Sequence, residues 1–269
     1  MIARALIGPG PARDDRRAAY RACLGLSAVT DWDGRGTPSV GLDAQAVVDA
    51  GDPSALPPQA LTDVAAAGAL LVVGAPLEHV LPLRLVYATP DVRAGPLATM
   101  VEALGGLGVR TMTKAVVLTD DGHLAPALFR ACLALRFLGG PIERLAARRR
   151  TLGPAGDGLW AVGRHADGSI AYLEASAAYP AGTGLEIFQA LGRDQVLEYD
   201  GRTRGNRVWH DGQWRPLPAH RISPYGLFVQ WLAAATDPHI AHHNARVAGA
   251  VVLYHAVLAA ADRPEAMAL

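Results

Sequence analysis

Residues 3–24 read ARALIGPGPARDDRRAAYRACL, and the order of residue types in this stretch decides the fold class. The apolar run at 3–7 predicts a strand, Gly8-Pro9-Gly10-Pro11 a tight turn, and the stretch 14–24 a helix. A second strand, expected at 27–30, ends at Asp31, 23 residues after Gly8, which completes a βαβ unit of ordinary size. Gly8 and Gly10 let the backbone come close to a pyrophosphate, and the helix behind them points its positive end at that charge. Where a dinucleotide loop carries a third small residue, this chain has Arg13, a side chain suited to hold a phosphate instead. Asp31 is placed to accept hydrogen bonds from an adenosine ribose and favours NAD(H) over the 2′-phosphorylated form. The same string also reads as a plain strand, turn and helix, with Asp31 starting a turn beside Asp33-Gly34.

Working outward, 34–41 is loop, 46–49 a strand, 57–67 a helix started by its prolines, and 69–73 a strand running into Gly74-Ala75-Pro76. Only 15 residues separate Asp31 from Val47, too few for the helix, strand and helix that normally complete the first half of such a sheet. Residues 1–80 are therefore expected to form a reduced doubly wound α/β domain. Beyond them come a strand at 83–88, a helix at 97–104 and a strand at 109–118. A long apolar helix at 124–138 stops at Gly139-Gly140-Pro141. Strands at 145–150, 159–164, 169–177, 185–190 and 195–199 follow, with Asp167-Gly168 the best hairpin turn, and helices at 227–234 and 240–260 close the chain. Residues 81–269 thus read as an α+β domain with an open, mostly antiparallel sheet.

The chain has 269 residues, 51% of them apolar, enough to fill a sizeable core. Its 25 basic and 25 acidic residues cancel, so no global field gathers nucleic acid or an anionic membrane, and neither is expected as a partner. No apolar run is expected to span a bilayer, and the opening MIARALIG is shorter than a signal peptide requires, which predicts a cytoplasmic protein. Cys23 and Cys132 fall in apolar helical patterns and read as buried thiols. His239 and His243 share a helix face with His242 adjacent, but no HExxH glutamate or third ligand accompanies them, so no metal is expected. His123, just after Asp120-Asp121-Gly122 and ahead of the long helix, is the first candidate for acid–base work, because the two carboxylates can orient or charge its imidazole. Lys114, the only lysine, and Tyr87 are weaker candidates.

The order of the pieces resembles the Gfo/Idh/MocA oxidoreductase family. It runs from the Gly-x-Gly turn and Asp31 through Leu138-Gly139-Gly140-Pro141 to Asp167-Gly168-Ser169-Ile170-Ala171-Tyr172-Leu173-Glu174-Ala175-Ser176 and Leu185-Glu186-Ile187-Phe188. The resemblance implies a Rossmann domain followed by an open sheet, a small-molecule substrate, NAD(H) held by Gly8, Gly10, Arg13 and Asp31, and homo-oligomers formed through the sheet. It also exposes losses. Gly74-Ala75-Pro76 stands where the family has Glu-Lys-Pro, and the Asp-x-x-x-His pair falls near Pro126 and Phe129 or Arg130, with no Asp or His anywhere from Leu124 to Leu138. Residues left to line the old cleft are Thr111, Thr113, Lys114, Tyr87, Arg84 and His79. Two functions follow. One is an NAD(P)-dependent oxidoreductase-like enzyme of specialised metabolism with its usual Lys and Asp/His missing. The other is a cofactor-free cyclase, dehydratase or isomerase, or an inactive accessory subunit, on the same fold.

Overall fold

Strand β1 (Arg4–Ile7) is an inner strand, next to the β2 edge, of a five-stranded, wholly parallel sheet of order β2-β1-β3-β4-β5, with β2 Val29–Asp31, β3 Ala46–Ala50, β4 Leu70–Val73 and β5 Arg84–Tyr87. The computed structural model describes residues 2–25, 28–38, 41–77, 84–90, 95–151, 156–180, 182–218, 223–263 and 267–268. The chain divides into two compact units, 1–90 with 222–247, and 91–221 with 248–269. The sequence expectation put the division at residue 80 and assigned 81–269 to the second domain, with the C-terminal helix returning to the N-terminal half. Residues 222–247 instead belong to the first unit, because that unit's sheet needs a cover that its own short chain does not supply.

The cover is visible in the packing. Ala5, Ile7, Val47 and Val72 face Tyr20 of α1 (Arg13–Leu24) and Phe228, Val229 and Leu232 of α5 (Pro224–Ala234). Leu6, Val48 and Leu71 face the other way, onto Ala60 and Val64 of α2 (Pro58–Ala66). With both faces covered, strands of a parallel sheet are apolar throughout rather than alternating, which is why β4 is simply Leu-Leu-Val-Val. Chain order reverses at β1, whose neighbours are β2 on one side and β3 on the other. Beyond β2 no further strand is paired among the described residues, in keeping with the 15-residue gap in the sequence. The far edge, β5, is closed by side chains: Asn244 Nδ2 donates to Leu85 O at 2.7 Å, Asn244 Oδ1 accepts from Tyr87 N at 3.3 Å, and Arg84 pairs with Asp237 at 2.8 Å.

The second unit is a nine-stranded sheet of order β13-β12-β11-β10-β6-β9-β8-β7-β14. Its strands are β6 Arg110–Leu118, β7 Ile142–Thr151, β8 Asp157–His165, β9 Ile170–Ser176, β10 Leu185–Gly192, β11 Gln195–Asp200, β12 Gly205–His210, β13 Gln213–Pro216 and β14 Met267–Ala268. Only β6 and β9 run parallel. Helix α4 (Leu124–Gly139) packs on β6 and β9, and α3 (Pro96–Ala103) on α4 and β11. Arg110 closes the end of α4, donating to Leu138 O at 2.6 Å and Gly139 O at 2.7 Å. Strands β12 to β14 extend a sheet expected to finish near residue 199.

Helix α6 (Asp237–Ala261) corrects another expectation. By length and composition it is long and apolar enough to cross a membrane, with a mean hydropathy of 1.3. Val247, Ala250, Leu253, Tyr254, Val257 and Ala260 form a buried stripe at helical spacing, so the helix buries one face.

Candidate functional site

The carboxyl ends of β1, β3 and β4 carry three loops that press on one another. Gly10 has φ +130°, and a Cβ there would lie 2.4 Å from Asp52 N, so only glycine fits. A Cβ on Gly74 would lie 2.2 Å from Gly51 O. The glycine loop is tied by Gly8 N to Asp49 O at 2.8 Å and by Asp52 N to Pro9 O at 3.1 Å. Below it lies Arg16, 3% exposed, which donates to Pro11 O at 3.1 Å, Gly8 O at 2.9 Å, Gly10 O at 3.3 Å and Asp49 Oδ1 at 2.7 Å. Asp49 is fully buried and also accepts the Tyr225 hydroxyl of α5. Burial opposes the Arg16 charge, but Asp49, Tyr225 and Tyr20 together outweigh it, so the guanidinium pKa rises above its ordinary value. Burial, and after it Asp49, pushes the Tyr20 and Tyr225 hydroxyls well above the usual phenol range.

Of the predicted cofactor residues, Gly8 and Gly10 form this loop as expected. The backbone N–H groups of Gly10, Ala12 and Arg13 find no acceptor among the described residues. That is the donor set a diphosphate requires, so the loop fits the diphosphate of a dinucleotide. Arg13 and Asp31 are turned to one another. Arg13 donates to Ile7 O at 3.1 Å and has its Nε 3.5 Å from Asp31 Oδ1, while Arg17 pairs with the second Asp31 oxygen at 2.5 Å and also with Asp14. Asp31, which the sequence reading offers to a ribose, is thus flanked by two arginines. Arg16, Asp49 and Tyr225 were not singled out as site residues from the sequence. The available signal was an aspartate inside the apolar run AVVDA, since a buried acid needs a buried partner.

Of the three catalytic candidates, His123 and Lys114 belong to the second unit and Tyr87 to the first. His123 is the N-cap residue of α4, and its N–H is held by Asp121 Oδ1 at 3.0 Å, an atom that also receives the Thr119 hydroxyl at 2.8 Å. Asp120 receives Gly182 N at 2.6 Å, so both carboxylates help to build the turn. Lys114 lies mid-strand on the face of the sheet away from α4, its ammonium 5.7 Å from the Tyr172 ring centre, in a row with Gln189, Glu198 and Arg207. Tyr87, on β5 of the first unit, is partly buried, and burial raises its phenol pKa. Thr113 is buried against His165, and Thr111 donates to Leu191 O at 3.1 Å. Arg84 serves the β5 edge, and His79 lies outside the described residues.

At the positions where the resemblance would put an Asp/His pair, Pro126 and Phe129 are buried, Phe129 meeting Tyr254 edge-on at 6.1 Å, and Arg130 pairs with Glu186. His239 meets Thr236 at the start of α6, and His243 contacts Thr89 Oγ1 at 3.1 Å and Tyr87 O at 2.9 Å under Trp231.

No protein-family model and no curated protein matches the chain. Solved structures do. An inositol dehydrogenase homolog from Azotobacter vinelandii, complexed with NADH and myo-inositol, aligns with a TM-score of 0.68 at 12% identity, over 100% of this chain and 97% of its own. UDP-N-acetylglucosamine 3-dehydrogenase from Acidithiobacillus ferrooxidans aligns with a TM-score of 0.67 at 15% identity, over 96% of each chain. A levoglucosan dehydrogenase complexed with NADH and levoglucosan aligns with a TM-score of 0.65 at 17% identity, over 100% of this chain and 90% of its own. With a parallel doubly wound unit, a large open sheet and these neighbours along its whole length, the chain has the fold of the Gfo/Idh/MocA-type oxidoreductases.

Proposed function

We propose that the chain is an NAD(P)-dependent, oxidoreductase-like enzyme that acts on a small molecule without the lysine and Asp/His pair usual for its fold. The observation that carries this is the glycine loop at the point where strand order reverses, with the N–H groups of Gly10, Ala12 and Arg13 unengaged among the described residues. Gly8, Gly10 and Arg13 would hold a dinucleotide there, which would supply the hydride chemistry when bound. Proton transfer falls to His123, whose helix carries the family's catalytic positions. We further propose a cytoplasmic protein of specialised metabolism that assembles through its open sheet face. The protein should give saturable binding when titrated with NADH or NADPH. On the substrate that supports turnover, His123→Ala should lower the rate by roughly 10²–10⁴-fold, and a rate within a few-fold of wild type would remove His123 from the mechanism.

A second reading is favoured by one observation: Pro126 and Phe129 are packed into the core where the acid and base would stand. On that reading the fold performs a cofactor-free cyclisation, dehydration or isomerisation, or serves as an accessory subunit. A folded protein that binds neither dinucleotide would decide for it.

A further inference from the structure

We infer that Arg16 is a positioning residue, which sets the glycine loop as a receptor for a diphosphate by pinning its carbonyl groups inward. The inference deepens the reading above and rests on the same site.

All the loop peptides are trans, so in each one the N–H points opposite to the C=O. The loop alternates proline and glycine, and this decides which peptides have an N–H to offer. The C=O groups of Gly8 and Gly10 are both held by Arg16 Nη2, at 2.9 and 3.3 Å, and they precede Pro9 and Pro11, which have none. The other two peptides do have one. Pro9 O is pinned by Asp52 N at 3.1 Å, which aims the Gly10 N–H away from Asp52. Pro11 O is pinned by Arg16 Nε at 3.1 Å, which aims the Ala12 N–H away from Arg16. Arg16 Nη1 then anchors the whole fork to Asp49, at 2.8 Å to its backbone oxygen and 2.7 Å to its carboxylate. Tyr225 holds the second carboxylate oxygen. Three loop carbonyls and one acid thus take up the guanidinium's donors, and a lysine ammonium, with three donors around a point, cannot reproduce that fork. Ala12 itself sits at φ 50°, a conformation alanine rarely adopts, so the loop is held in a shape its sequence alone would not keep. Donors fixed before the ligand arrives do not lose entropy when it binds, and this is how Arg16 raises affinity without touching the ligand.

The test uses the full chain, with inorganic pyrophosphate and ADP as probes, measured by calorimetric titration in wild type and in Arg16→Lys. Arg16→Lys should weaken both probes by about tenfold or more, a loss of about 1.4 kcal/mol per factor of ten. A variant with a lower thermal midpoint whose folded fraction binds both probes as wild type does would make Arg16 merely structural and overturn the inference. A measurement on the wild type alone guards against a variant that fails to fold. Hydrogen exchange at the Ala12 amide should slow about tenfold or more in saturating pyrophosphate, and unchanged exchange overturns the inference. Wild type that binds pyrophosphate, and loses it with Arg16→Lys, but binds neither NADH nor NADPH would uphold the role of Arg16 and sink the proposed function. Undiminished NADH binding by Arg16→Lys would do the reverse. No binding of either probe by folded wild type overturns the inference.

Discussion

His165 is 1% exposed, with Nδ1 3.3 Å from Pro141 O and Nε2 2.7 Å from Thr113 Oγ1. A carbonyl can only accept, so Nδ1 carries the proton and Nε2 accepts from the threonine hydroxyl, which leaves the neutral ring fully satisfied. Burial lowers its pKa below the ordinary histidine value. The unfolded chain therefore takes up a proton before the folded protein does, and stability present above about pH 6.5 is lost as pH falls below it. The thermal midpoint should fall between pH 7 and pH 5, with a contribution from this group of at most about 1.4 kcal/mol per pH unit. His165→Gln should flatten that dependence, and an unchanged slope would show that other groups carry it. At this scale the sequence is least legible. Arg16 stands in a run, RDDRRAAYR, whose charges look alike, and nothing local separates the buried Arg16 from the half-exposed Arg17. What distinguishes them is a partner on another strand, Asp49, 33 residues away.

Among elements, legibility follows burial. The strands and helices that enclose the first sheet stand out because turn residues bound their apolar runs, and α4 because two glycines and a proline end it. The β12 and β13 hairpin does not stand out, although Asp211-Gly212 lies at its turn: its strands, GNRVWH and QWRP, carry polar residues in place of an apolar run. The edge of β5 is a further case. The sequence marks Asn244 as one polar residue in a helix start, while in the fold its amide takes the place of a neighbouring strand for Leu85 and Tyr87. Asn244→Ala should leave both backbone groups short of partners and cost about 1–3 kcal/mol in denaturant unfolding. A loss under about 0.5 kcal/mol would mean that water replaces the amide without penalty.

For the whole molecule, the open face of the large sheet is the feature that asks for company. Trp160, Val162, Ile170, Trp209 and Trp214 are exposed there, Ile170 at 50%, around the polar row of Lys114, Tyr172, Gln189 and Glu198. An apolar surface of this kind, on strands that alternate cleanly with a helix-covered face, fits a second copy of the chain. Trp160→Glu should shift the assembly toward monomer in sedimentation velocity at micromolar concentration, and a wild type that is already monomeric at high micromolar concentration would defeat sheet-mediated association.

The return of residues 222–247 to the first unit has a consequence for how the protein is made. During synthesis the β1 to β5 sheet emerges early, yet Phe228, Val229 and Leu232, which cover one of its faces, and Asn244, which seals its edge, are translated only after strands β6 to β13 of the second sheet. At ordinary ribosomal rates the delay is on the order of ten seconds. Through that interval the nascent chain presents an uncovered apolar face and an open strand edge, so its yield should depend on chaperone supply and translation speed more than its finished stability would suggest.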